Sequence, residues 1–311
     1  MEDEAGNDLQ GALIRHGREN LADRASKLKY RHVSAWLFTA PALLIQFFFG
    51  WFPVLFAFVV SLQRYFFVKL PEYVGLQNFQ DVAADPLILA AFRNTVYYAL
   101  LAIGLTFIVP IFVSILLMEM SRRTIRWMMI LWFIPVASTA GIVIWKYMYH
   151  PRLGLLNGLL ASVHLPALKW LDDPNLAMFC LVLPGLILFG PGLIYIAAIQ
   201  SIPEELYEAA DLEGAGFFKK IGLVTLPRLR PVIAMMLIFS VIGSLQVFEL
   251  PFIMTGGGPG YVTTTVVMHV YDLAFRAYEL GKATALAVAL FFFIMVLIAV
   301  QRRFFRENLD E

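Results

Sequence analysis

Charge is scarce in this chain and cysteine almost missing. Only 15% of its 311 residues are Asp, Glu, Lys or Arg, where a soluble domain carries about 25%. The two signs nearly cancel, leaving a formal net charge of +1, so there is no bulk attraction for nucleic acid. One cysteine, Cys180, excludes an internal disulfide; lying in an apolar run, it reads as a small buried hydrophobe. His150, His164 and His269 show no metal-ligand spacing. Asp172-Asp173 reads as a turn before a helix rather than as a catalytic pair. No G-x-x-x-x-G-K-[ST] sequence occurs, and Gly281-Lys282, the nearest dipeptide, lacks the upstream glycine. The expectation is a chain with no catalytic residue, no metal site and no cofactor of its own.

What is present is apolar. Hydrophobic residues make up 60% of the chain and the mean hydropathy is +0.73. The excess is gathered in blocks of about twenty residues, the length that crosses a bilayer. Six such segments can be drawn, at 34–62, 93–118, 126–148, 176–200, 231–255 and 283–300. The first is long enough to tilt or to extend beyond the bilayer. They predict an all-α integral membrane protein with six transmembrane helices. Residues 34–300 form the membrane domain, flanked by polar tails at 1–33 and 301–311. The first tail has mixed charge and is followed by a run too long for a signal-peptide core, so no cleavable signal is expected. About its first twenty-five residues are expected to be poorly ordered.

The connecting segments give an orientation. About sixteen of the 24 lysines and arginines fall in the tails and in the segments 119–126 and 201–230. Arg122, Arg123 and Arg126 crowd one very short loop, where the positive-inside bias is most reliable. Both termini and the loop 201–230 are therefore expected in the cytoplasm.

Several spans carry helix breakers: Pro110, Pro135, Pro184, Gly190-Pro191-Gly192, Gly243 and Pro251. In lipid a freed carbonyl must find another partner, so these are either ordinary kinks or places where helices line a pathway. Ser138, Thr139, Ser240, Ser244, Gln246 and Glu249 point to the pathway, since polar groups at membrane depth face a partner or a wet cavity. Glu249 is the strongest signal among them, because a carboxylate there is costly unless paired or wet.

The loop after the fourth span has its own local order. Ser201 and Glu204 have capping-box spacing, Pro203 fits a first helical turn, and Gly214 fits a left-handed cap. These signals predict a helix of about three turns over 202–213, too short to stand alone in water. It carries Glu204, Glu205, Glu208, Asp211 and Glu213 and no basic residue. An acidic face is repelled by anionic headgroups, which favours protein docking over a membrane-surface helix. Ala209, Ala210 and Gly214 offer a small-residue face for close approach. A second amphipathic piece with Phe217, Phe218, Ile221 and Val224 precedes Leu226-Pro227.

These residues resemble the EAA motif in permease subunits of bacterial ABC importers. Glu208-Ala-Ala210, Gly214, Val224 and Leu226-Pro227 stand at the family spacing, with valine where isoleucine is commoner. Tyr73-Val-Gly-Leu-Gln-Asn-Phe79, Asp85-Pro86, Asn94-Thr95, Gly154-Leu-Leu-Asn157, Gln246-Val-Phe-Glu249, Thr255-Gly-Gly-Gly-Pro259 and Thr263-Thr264 are similar to the sugar permeases of that family, of the maltose and glycerol-phosphate type. The resemblance covers about residues 35 to 300.

It implies a type I importer permease fold in the bacterial inner membrane, with the helix around Glu208 to Gly214 as a cytoplasmic coupling helix. Glu208, Ala209, Ala210, Gly214, Leu226 and Pro227 would couple to the ATPases. The implied partners are a second homologous permease subunit, two cytosolic ATPases that bind ATP and magnesium, and an extracytoplasmic solute-binding protein. The implied cargo is a sugar or oligosaccharide, with glycerol-phosphate or another small solute as the alternative within the family and a self-sufficient secondary transporter outside it. By the same resemblance the substrate pathway lies near Leu183, Leu186, Ile187 and Gly190 in the fourth span, and near Ser240, Gly243, Ser244 and Val247 in the fifth, beside Gln246 and Glu249. The fourth-span positions are apolar or small, so a weakly contacting channel is as consistent as a tight sugar site.

Overall fold

The computed structural model describes residues 36–66, 70–118, 120–133, 139–187 and 192–307. The expected N-terminal tail, Pro135, Ser138, Gly190 and Pro191 lie outside them. Contacts divide the chain into two compact units, Met1–Val59 and Val60–Glu311.

The described part of the first unit belongs to one helix, α1, Trp36–Ser61, which passes through a π turn at Gln46–Trp51. Its length, about 39 Å at 1.5 Å per residue, exceeds the hydrocarbon core of a bilayer. Trp36, Phe38, Phe48, Phe49 and Trp51 are all exposed. An aromatic helix open on every side is a membrane element, because no aqueous surface tolerates it.

The second unit opens on a two-residue antiparallel ribbon, β1 Gln63–Arg64 and β2 Glu72–Tyr73, with Gln63 opposite Tyr73 and Arg64 opposite Glu72. The short helix α2, Gln77–Ala84, comes next. Asn78, buried on it, donates from Nδ2 to the carbonyls of Ser61 and Gln63 at 2.8 and 2.9 Å, which fixes the ribbon. The Asp85 side chain then accepts from Leu87 N at 2.8 Å and caps α3, Pro86–Thr106, with Pro86 in the first turn where its missing N–H costs nothing.

α3 gives way to α4, Ile108–Met118, through a break at Phe107. Pro110 explains it: a helical Pro110 has no N–H for the Thr106 carbonyl and its ring presses on that carbonyl. The expected third span appears as α5, Arg122–Phe133, and α6, Thr139–Met148. After the short α7, Leu155–Ser162, the expected fourth span appears as α8, Ala177–Ile187, and α9, Gly192–Gln200. Four described helices are long and apolar enough to cross a membrane: Trp36–Ser61, Pro86–Leu117, Phe217–Met254 and Leu280–Arg303.

Beyond α9 stand α10, Glu204–Leu212, and α11, Phe217–Lys220. A π turn at Ile221–Thr225 carries α11 into α12, Leu226–Leu245. Then come α13, Glu249–Met254, α14, Val266–Tyr271, and α15, Leu280–Glu307. α15 runs past residue 300, so the expected C-terminal tail begins inside a helix.

Two apolar cores hold most of the unit together. One joins Ala91 and Ala99 of α3, Leu245 of α12, Val266 of α14 and Leu286, Leu290 and Ile294 of α15. The other joins Ile142 and Trp145 of α6, Cys180 and Leu181 of α8 and Met254 of α13. Cys180 is buried there, as its apolar run suggested. On α15 the face opposite the core is also apolar, with Phe291, Phe292, Met295 and Val296 exposed. Apolar faces inward and outward are what a helix between protein and lipid carries.

Candidate functional site

Two loops, at opposite ends of α3–α4, carry most of the motifs. Asn94 near the start of that pair and Ile115 near its end are separated by about 30 Å of helix.

The first loop, 255–265, is a closed lattice of hydrogen bonds. Thr255 Oγ1 donates to the Pro251 carbonyl at 2.8 Å and lies 2.7 Å from Thr263 Oγ1. Thr263 Oγ1 also reaches the Gly258 carbonyl at 2.7 Å, and Thr264 Oγ1 the Gly257 carbonyl at 3.2 Å. Asn94 Nδ2 donates to the carbonyls of Tyr261 at 2.8 Å and Thr264 at 3.1 Å. Thr95 Oγ1 accepts from Val266 N at 2.9 Å. Motifs some 170 positions apart thus form one structure. Gly257, at φ +93°, permits it: a Cβ there would stand 2.5 Å from Thr264 Oγ1. Asn157 ties the neighbouring loop in the same way, accepting at Oδ1 from Leu168 N at 3.1 Å and Trp170 Nε1 at 2.9 Å. Asp173 Oδ1 accepts from Asn175 N at 2.9 Å, so it is a turn residue ahead of α8.

The other loop, 201–230, is held at fewer points. α10 spans Glu204–Leu212, shorter than the expected 202–213, and Pro203 is its N-cap. The expected capping box does not form, because Ser201 Oγ donates back to the Ala198 carbonyl at 2.7 Å. The expected cap at Gly214 does. At φ +72°, Gly214 lets its own N–H reach the Asp211 carbonyl at 3.0 Å and Ala215 N reach the Ala210 carbonyl at 2.9 Å. That is a complete Schellman motif, with Ala210 and Ala215 both buried under it. The small-residue face therefore divides: Ala209 and Gly214 are open, while Ala210 is spent inside.

Two contacts fasten α10 to the chain beyond it. Lys220 Nζ lies 2.9 Å from Asp211 Oδ1, and Tyr207 Oη lies 3.0 Å from Thr225 Oγ1. Both anchors sit on the continuous helical stretch Phe217–Leu245. Leu226 and Pro227 are exposed at the start of α12, Pro227 within its first turn. Glu205, Glu208, Ala209 and Leu212 lie at helical spacing on an open face of α10. Leu212 is 91% exposed and Phe218 79%. Residue pattern alone did not mark these two as open, since the signal is the absence of anything covering them.

The pathway positions are partly brought together. α12 ends at Leu245, and Gln246, Val247 and Phe248 separate it from α13. Glu249, at the first turn of α13, accepts a short hydrogen bond at Oε1 from Thr139 Oγ1 of α6. Gln246 and Gly243 are exposed or half-buried, and Val247 is half-buried. Ser244 is buried, and its hydroxyl donates to the Ser240 carbonyl at 2.7 Å and the Val241 carbonyl at 3.2 Å, inside its own helix. Leu183 packs half-buried against the core around Cys180 and Leu181. Ile187 ends α8, its side chain outside the described residues. Phe248 and Phe252 stack at 4.9 Å between centroids, a pair of rings beside Gln246 and Glu249 that the motif reading overlooked.

Residues 87–308 match the family model for the binding-protein-dependent transport system inner membrane component. The chain belongs to that family. It is therefore a multi-pass membrane subunit of a transport system. Among its relatives, the trehalose/maltose transport system permease protein MalF of Thermococcus litoralis is 32% identical over 280 residues, 88% of this chain and 93% of that one. The sulfoquinovosyl glycerol transport system permease protein SmoG of Agrobacterium fabrum is 32% identical over 76% of this chain and 77% of its own. In fold, the permease is similar to a chain of a bacterial alginate ABC transporter solved in complex with an alginate pentasaccharide-bound periplasmic protein. The TM-score is 0.78 at 22% identity, covering 90% of this chain and 96% of that one. The permease fold is thus the ABC importer fold that the loop motifs implied.

Proposed function

We propose that this permease forms half of the translocation pathway of an ATP-driven importer for a sugar or oligosaccharide, with both termini and loop 201–230 in the cytoplasm. A second homologous permease completes the pathway. Two cytosolic ATPases, holding ATP and magnesium, drive it, and an extracytoplasmic binding protein delivers the solute. The observation that carries the reading is the mounting of α10. Its acidic face and Leu212 are uncovered, while Lys220–Asp211 and Tyr207–Thr225 tie it to the helix that runs on to Leu245. A rigid-body push on α10 would reach the break at Gln246–Phe248 without passing through a loose joint.

A sugar is favoured over a phosphorylated solute by the break itself. A carboxylate, an amide and two stacked rings meet there, and the proposed pathway positions include no cation. Carboxylate and amide suit hydroxyl donors and acceptors, rings suit the apolar faces of a pyranose, and a phosphate would be repelled by Glu249. The relative named for trehalose/maltose transport supports the same class.

The test is reconstitution of the four-part complex in liposomes with a panel of sugars. Sugar with binding protein should stimulate ATP hydrolysis and uptake together. Gly214→Trp, which forbids the left-handed cap, should abolish uptake and weaken ATPase binding. Full coupled uptake by that variant would overturn the coupling role of the loop.

A further inference from the structure

We infer that the membrane side of α10 holds an anionic phospholipid of the cytoplasmic leaflet, its phosphate on Arg126 and Arg123 and its two tails in the hollows on either side. A cavity of about 780 Å³ opens between α10 and the helices α4, α5 and α9. Its volume is in the range of about 300–1,000 Å³ of true ligand sites. Its wall is mixed: Met129 and the edges of the buried Ile115, Ile125 and Ile199 form an apolar side, and Arg126, Gln200, Glu204, Tyr207 and Lys220 a polar one. A second hollow of about 420 Å³ is lined by Arg123, Arg126, Trp127 and Ile130. Arg126 belongs to both, so a cation stands on a ridge between two hollows, each with an apolar side.

Diacyl phospholipids have that shape, one phosphate above two hydrocarbon tails. Arg123 and Arg126 are three apart on α5, hence on one face, and neither has an ion pair or hydrogen bond among the described residues. By contrast, Lys220 in the larger cavity is already paired with Asp211 at 2.9 Å. Trp127, 58% exposed beside the two arginines, is the residue type that settles at headgroup depth. Charge also limits the headgroup. Glu204 lies in the same cavity wall, so a compact single phosphate on the arginine side is tolerated, while a polyphosphate such as a nucleotide would meet the acidic α10.

Position gives the site a consequence. Tyr207, whose hydroxyl joins α10 to Thr225, lines the same cavity as Arg126. A lipid seated there props the underside of the helix proposed to receive force, so leaflet composition would set how firmly α10 is held. The site rests on the proposed cytoplasmic placement of loop 201–230.

The test uses the assembled complex in bilayer nanodiscs containing phosphatidylglycerol or phosphatidylcholine with a photoreactive group on one tail. Cross-links are mapped by mass spectrometry. Phosphatidylglycerol should label the segments around Ile125 and Ile199, and Arg123→Gln with Arg126→Gln should cut that labelling by roughly tenfold. The paired Arg→Lys variant should keep most of it. Met129→Trp, at a half-buried position on the apolar side of the larger hollow, should reduce it as well. Equal labelling by the two lipids, indifference to the arginine pair, or cross-linking of these segments to a protein subunit instead would overturn the lipid site. Failure of the transport reading looks different. If loop 201–230 proves accessible only from outside, or no ATPase binds, while labelling still depends on the arginines, the coupling proposal falls and the lipid site stands.

Discussion

The loop at 255–265 and the loop at 201–230 are built from similar turn-forming residues and come out as opposites. In the first, the hydroxyls of Thr255, Thr263, Thr264 and Thr265 are all committed, and Asn94 and Thr95 clamp it from another helix. In the second, one glycine cap, one ion pair and one hydroxyl pair hold a helix whose charged face and Leu212 are uncovered. A loop with its threonine hydroxyls all spent internally is held to one shape whatever docks on it. A loop fastened at two points and open elsewhere is shaped to be moved by something that covers it. The contrast puts rigidity at one end of the molecule and, on the proposed reading, mechanical input at the other.

The largest expected effect is on the rigid side. Gly257→Val puts a branched side chain at φ +93°, with its Cβ 2.5 Å from Thr264 Oγ1. Left-handed strain and the clash together should cost about 3 kcal/mol or more. The thermal unfolding midpoint in detergent should fall sharply and uptake should be lost. If the midpoint barely moves, the lattice is decorative and the contrast between the loops fails at its stronger end.

On the open side the expected effect is on binding and not on folding. Leu212→Ser removes an apolar anchor that is 91% exposed in this chain alone, so the unfolding midpoint should stay put. Affinity for the ATPase should drop by about 2 kcal/mol, roughly thirtyfold, if Leu212 is a central contact. An unchanged affinity would leave docking to the acidic residues alone. A smaller effect should result from Tyr207→Phe, which keeps the ring and removes the bond to Thr225. About 1 kcal/mol of tethering is lost, a factor of about five. Sugar transported per ATP hydrolysed should fall by that order while ATPase binding is unchanged. Equal loss of binding and coupling would mean that the tether only shapes the docking face.

The two loops also differ in how far the residues announce them. The Gly214 cap was legible because only a left-handed turn explains a glycine at that spacing, and the structure has φ +72° there. The capping box was not. Ser201 and Glu204 have the right spacing, but Ser201 still belongs to the end of α9 and gives its hydroxyl to Ala198. Pro203, with ψ of 135°, takes the N-cap by backbone geometry alone. The exposure of Leu212 and Phe218 was illegible for a different reason: in a chain so apolar, an uncovered leucine is indistinguishable from a buried one until the neighbours are placed. Asn94 and Thr264 were visible as motifs, yet their pairing depends on contacts across some 170 residues, which local pattern does not carry. Ser244 was ambiguous in the residue pattern, because a serine at membrane depth bonds its own helix as readily as a ligand.

The smallest expected effect tests the rigid loop from its far edge. His269 on α14 is 7% exposed, and its Nε2 has no hydrogen-bond partner among the described residues. Burial lowers its pKa below the ordinary value, and the nearby Asp85 and Asp272 pull it part of the way back. The unfolded chain, at an ordinary pKa of about 6.5, therefore takes up the proton before the folded protein does. Stability from this residue is complete above about pH 6.5 and is lost as the pH falls toward the lower, folded value. The unfolding midpoint should drop between about pH 7.5 and about pH 5.5, and His269→Gln should remove that part of the slope. If wild type and variant decline in parallel, the imidazole is not kept neutral by the fold. The lattice around Thr263–Thr265 would then be looser, and nearer in character to loop 201–230, than its hydrogen bonds imply.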